Sequence, residues 1–94
     1  MALRCLIMRP PTRYELTEHA ASVIAEREIE RAWIDHAISA SERTVADRAD
    51  SRLMHALGRI VECENRVLRV VYNASVSPAR IVTCYFDRGQ RGKI

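Results

Sequence analysis

The spacing of apolar residues changes once along this chain, and that change limits the folds open to it. Up to about residue 41 the apolar positions recur every three or four residues. Leu16, Ala20, Val23 and Ile24 form one stripe; Ile29, Trp33 and Ala37, flanked by Ile34 and Ile38, form a second. One face of a helix repeats at this interval, so two short helices are predicted. Beyond Arg43 the interval drops to two. Leu68, Val70 and Tyr72 alternate with Arg69, Val71 and Asn73, and Val82, Cys84 and Phe86 alternate with Ile81, Thr83 and Tyr85. Successive side chains of a strand point to opposite faces, so each set marks a strand with one face turned to a core.

Local chemistry sets the boundaries. Thr17 is the predicted N-cap of a helix starting at Glu18, whose carboxylate suits the positive end of the helix dipole. Arg27 and Glu28 must turn the chain without a glycine, and the second helix runs from near Glu30 into the polar stretch Ser39 to Ser41. Tyr14 to Leu16 reads as a short extended piece and Arg43 to Asp47 as a candidate edge strand. Leu53 to Val61 is an earlier strand in which Gly58 is a weak point and a candidate bulge. The segments Glu62 to Asn65 and Asn73 to Pro78 separate successive strands at hairpin distance. The expected fold is α+β, with two N-terminal helices packed on one face of a three- to four-stranded antiparallel sheet connected as a meander.

At 94 residues the chain can hold one hydrophobic core and hardly two, so it is read as a single domain. Residues 1–12, with Pro10 and Pro11, form a lead-in, 13–41 the helical half, 43–87 the sheet and 88–94 a basic tail. Apolar residues at 48% exclude an intrinsically disordered chain. No apolar run approaches the roughly 20 residues that cross a bilayer, and the stretch before Pro10 lacks the pattern of a cleaved signal. A cytoplasmic protein without a membrane partner is expected. Cys5, Cys63 and Cys84 are too few and too far apart for a zinc site or a disulfide framework.

The net charge of +3 permits a nucleic-acid partner without demanding one; Arg88, Arg91 and Lys93 gather in the tail. There is no glycine-rich phosphate loop, no nucleophile elbow and no metal-ligand spacing, so neither cofactor nor metal is expected. What remains is a set of His, Arg, Thr and Tyr side chains. Such groups can cleave RNA unaided: a base takes the 2′-hydroxyl proton, cations stabilise the charged phosphorane, and an acid protonates the leaving oxygen. If Leu68, Val70, Tyr72, Val82, Cys84 and Phe86 face the helices, alternation places Arg69, Thr83 and Tyr85 together on the other face, and His55 and Arg59 share a parity of their own. With Arg88, these last two are candidate substrate contacts. The plainer alternative is a solvated sheet face on which Val71 and Ile81 are ordinary surface. His19 and Arg27, eight residues apart on the first helix, lie roughly 80° around the axis and about 12 Å along it, so they flank one ligand only if Arg27 extends. His36, beside Asp35, reads as surface.

Four segments in order carry a resemblance: Tyr14 to Ala20, Glu26 to Ile29, Val67 to Tyr72 and Val82 to Phe86. Together they resemble a small bacterial family, domain of unknown function 4258, over residues 13–88. That family is similar to the RelE and BrnT-like ribonuclease toxins and to the wider barnase and EndoU-like group. The resemblance implies a metal-independent endoribonuclease of the toxin-antitoxin type, with RNA as substrate and an antitoxin protein as partner. It implies His19 as general base or acid, Arg27 and Arg69 as phosphate-stabilising cations, and Thr83 and Tyr85 as groups that position or protonate the scissile group. The alternative is a non-catalytic RNA- or protein-binding module with the same basic face. Where the family commonly carries glycine after the arginine of the second segment, this chain has Glu28. Either the turn differs or the helix runs on.

Overall fold

Thr17 decides both where the first helix starts and where it meets the sheet. In the computed structural model, which describes residues 13–76 and 78–90, Thr17 Oγ1 accepts from the Ala20 N–H at 3.1 Å and caps α1 (Glu18–Arg27). The same hydroxyl donates to the Ile81 carbonyl at 3.0 Å, and the Thr17 N–H donates to that carbonyl at 3.2 Å. One threonine therefore ties the helix start to the sheet. The lead-in with Pro10 and Pro11, Cys5, and the tail cations Arg91 and Lys93 lie outside the described residues.

At its far end α1 stops, and Glu28 takes the left-handed conformation (φ 54°, ψ 43°) that a glycine would adopt freely. The Glu28 N–H donates to Ala25 O and the Ile29 N–H to Ile24 O, satisfying two carbonyls of the last turn, and Ile29 is buried beside Ile24. This closure lets α2 (Arg31–Ser39) start after three residues. Glu28→Gly is therefore expected to stabilise the protein by about 1 kcal/mol. In a thermal melt that corresponds to a rise of about 4–8 °C. A lower melting temperature would show that the closure carries no strain.

The sheet contains β1 (Tyr14–Leu16), β2 (Arg43–Ala46), β3 (Leu53–Ile60), β4 (Arg66–Asn73) and β5 (Ala79–Phe86), in the order β1-β5-β4-β3-β2. From β2 to β5 it is the expected antiparallel meander. The expectation of three to four strands, all antiparallel, is overturned at the other edge. There β1 pairs in parallel with β5, Tyr14 opposite Ala79 and Leu16 opposite Ile81, so the sheet has five strands and is mixed. Alternation reports which residues are extended, not which distant strand receives them, and three residues are too few to carry a pattern. Among the described residues no helix is long and apolar enough to cross a membrane.

Both helices lie on one face. Ala20, Ile29, Ile34, Ala37 and Ile38 pack there against Ala56, Ile60, Leu68, Val70, Tyr72, Ile81 and Cys84. Trp33 sits at the margin of this core, partly buried, with its ring edge-on to Phe86 at 6.1 Å. Gly58 marks no bulge. It lies in unbroken pairing within β3, and a Cβ there would stand 2.9 Å from the Ala37 Cα, so it is the seat on which α2 rests. The irregularity is in β5 instead. Val71 faces Thr83 and Tyr72 faces Ile81, leaving Val82 as the extra residue of a bulge. Parity reverses across it: Ile81, expected on the surface, is wholly buried in the core, and Val82, expected in the core, is only half-buried. Val71 is also buried rather than surface, although on the face away from the helices, together with Leu57 and Val67. Leu57 lies between Arg43 and Arg69 in the register, and the aliphatic stems of such side chains shield neighbouring apolar surface.

Candidate active site

The face of the sheet away from the helices carries a hydrogen-bonded chain of four side chains. Asp47, just beyond β2, accepts through Oδ1 from His55 Nε2 of β3 at 2.8 Å. His55 Nδ1 meets Arg69 Nη1 of β4 at 2.8 Å. Arg69 then donates through Nε and Nη2 to Asp87 Oδ2, just beyond β5, both at 2.8 Å. The two central side chains are each only 15% exposed. Strand register makes this possible: His55 lies opposite Val71 and Arg69 opposite Leu57, so the two project from the same face one diagonal step apart.

The partners fix the histidine tautomer. A guanidinium can only donate, so Nδ1 must be the unprotonated nitrogen, and the ring proton sits on Nε2, directed at Asp47. Asp47 is itself held by its loop, its Oδ2 accepting from the N–H groups of Ala49 at 3.0 Å and Asp50 at 2.9 Å. The hydrogen bond from His55, then those from Asp50 and Ala49, hold its carboxyl below the ordinary 3.8. A carboxyl whose value is lower folded than unfolded contributes stability that is complete above its unfolded value, and it is lost as the pH falls through the folded one. In acid titrations followed by circular dichroism, the parent is thus expected to lose stability more steeply than Asp47→Asn below about pH 4. Equal slopes would contradict the assignment.

Thr83 and Tyr85 of β5 share this face, Tyr85 directly opposite Arg69 and Thr83 opposite Val71. Arg59 is on the same face but is held by Glu42, its Nε within 2.9 Å and 3.1 Å of the two carboxylate oxygens. Arg43 donates to Gln90 Oε1 at 3.2 Å. Arg88 is exposed in the short 3-10 turn Arg88–Gln90 that follows β5. His19 is exposed on α1, across the sheet from Arg69, and Arg27 donates to the Cys84 carbonyl at 3.4 Å. The fold thus brings His55, Arg69, Thr83 and Tyr85 onto one face, leaves His19 on the helix side, and sets Arg27 against the β5 backbone between Thr83 and Tyr85. Sequence reasoning missed Asp47 and Asp87. The second was within reach, because the alternation Thr83, Tyr85 continues to Asp87 on the same face.

Cys84, wholly buried, has its thiol pushed up to about 11 by burial and is inert at neutral pH. Among the described residues no group of three or more His, Cys, Asp or Glu could hold a metal ion. A sequence profile described as Domain of unknown function (DUF4258) matches residues 16–86, well over half of the chain. The chain belongs to the DUF4258 family. In this DUF4258 member the match takes in both helices, β2 to β5 and three of the four networked side chains, ending one residue before Asp87. No curated protein and no solved structure matches the chain.

Proposed function

We propose that the face bearing Asp47, His55 and Arg69 cleaves RNA without a metal, with His55 as general base and Arg69 as the group that receives the scissile phosphate. The observation that carries this reading is the contact between Arg69 Nη1 and His55 Nδ1. One guanidinium covers the base's lone pair and is also the donor that a phosphate seeks. When phosphate draws Nη1 away, Nδ1 is bared in the tautomer that can accept a proton. It takes the proton of the 2′-hydroxyl, the 2′-oxygen attacks the adjacent phosphorus, and the bond from phosphorus to the 5′-oxygen breaks. Asp47 offsets the charge on the imidazolium so formed, as the carboxylate of a hydrolytic triad does. Tyr85, paired with Arg69 in the register, supplies a proton from its hydroxyl to the leaving oxygen. His19, on the helix side, takes no part, and Arg27, which donates to the Cys84 carbonyl, is not required.

Under this reading a cytoplasmic RNA is the substrate and an antitoxin the protein partner. A second reading, a binding module without turnover, draws on the closed state of the network: both His55 nitrogens are engaged, and Arg59 and Arg69 are already paired with Glu42 and Asp87. Incubating the purified chain with total RNA in chelator separates the two. Cleavage that falls by about 10²–10⁴-fold in His55→Asn supports the nuclease. Retention of RNA without any cleavage supports the binding module.

A further inference from the structure

Where β4 begins and β5 ends, the rim of the sheet holds a cavity of about 450 Å³ lined by Arg66, Val67, Phe86, Asp87 and Arg88. Its size falls among ordinary small-ligand sites, roughly 300–1,000 Å³. We propose that it binds one nucleotide of an RNA strand, with the base stacked on the outer side of the Arg66 guanidinium, which Phe86 backs, and the phosphate held by Arg88. The proposal rests on the nuclease reading only for the identity of the strand.

Three observations point to this ligand. The Arg66 guanidinium carbon lies over the Phe86 ring, 4.2 Å from its centroid, and Trp33 meets that ring edge-on at 6.1 Å, so the guanidinium already rests on an aromatic support. Bases stack on aromatic rings and on guanidinium planes alike. Charge is the second. Both oxygens of Asp87, the cavity's carboxylate, are occupied, Oδ2 by Arg69 and Oδ1 by the Gly89 N–H at 2.9 Å. Its charge is offset, so Arg66 and Arg88, both exposed, leave the cavity favourable to an anion. Position is the third. Asp87 belongs to the cavity wall and to the network at once, so a nucleotide seated here lies one side chain away from Arg69.

Trp33 is the only tryptophan, and its contact with Phe86 makes its fluorescence a reporter of the site. The full chain is titrated with adenosine 3′-monophosphate, with adenosine, with inorganic phosphate and with a tetraglutamate peptide. Amide shifts of Phe86, Asp87 and Gly89 are followed in parallel. Saturable binding of the nucleotide, weakened at least about tenfold on removing either its base or its phosphate, is expected. Arg66→Ala and Arg88→Ala, both at exposed positions, should each weaken it by about tenfold as well. Binding indifferent to both replacements, shifts confined to other amides, or tighter binding of the acidic peptide would overturn the proposal. If nucleotide binds here but RNA is never cut, the subsite stands and the nuclease reading falls. If RNA is cut with no nucleotide binding at these amides, the reverse holds.

Discussion

Arg69→Ala is expected to lower RNA cleavage by at least about 10²-fold, the usual loss for one electrostatic group in a catalytic site. Arg69 is asked to do two things that no neighbour can take over. It stabilises charge developing on the phosphate, and it guards and then releases the Nδ1 lone pair of His55. Arg59, the other guanidinium on this face, is tied to Glu42. Arg69→Lys should recover little, because an ammonium cannot bond Asp87 through two N–H groups while also reaching His55. The fold should survive: Asp87 and His55 lose a partner at a site that water can enter, for about 1–2 kcal/mol. Single-turnover cleavage of a defined oligoribonucleotide, with a thermal melt of each variant, checks both statements. Undiminished cleavage by Arg69→Ala would remove it from the mechanism.

Gly58→Val is expected to destabilise the domain by overpacking the seat of α2. Its Cβ would stand 2.9 Å from the Ala37 Cα, so the added carbons force α2 off the sheet, for about 1–3 kcal/mol or more. Each kcal/mol corresponds to about 4–8 °C in the melting temperature of a domain this size. Because the nearest atom is backbone, trimming Ala37 to glycine should not rescue the variant. Rescue by Ala37→Gly in the double variant would show that side-chain crowding alone was at fault.

Elements governed by short-range chemistry were legible in the sequence. Thr17 caps the helix it was expected to cap, the second helix spans the stripe around Ile34 and Ala37, and β2 to β5 run as a meander. Two features governed by distant partners were not. The parallel pairing of β1 depends on Ile81, near the opposite end of the chain, and the bulge at Val82 depends on how β5 must bend to meet both β1 and β4. For the site, alternation placed Arg69, Thr83 and Tyr85 on one face, and β3 parity placed His55 with Arg59. The acids that neutralise these arginines, Glu42 and Asp87, are set by register, which composition does not reveal. A face expected to be basic is therefore largely charge-compensated, and phosphate must compete for Arg69.

The chemistry of the cut ends tests the account most directly. With an oligoribonucleotide in chelator, attack by the 2′-oxygen must leave a 2′,3′-cyclic phosphate on one fragment and a 5′-hydroxyl on the other. Replacing the single 2′-hydroxyl at the cut site by hydrogen must abolish cleavage there. That pair of results is what His55 acting as base on the 2′-hydroxyl predicts. Fragments ending in 5′-phosphate, or unchanged cutting of the 2′-deoxy substrate, would contradict it.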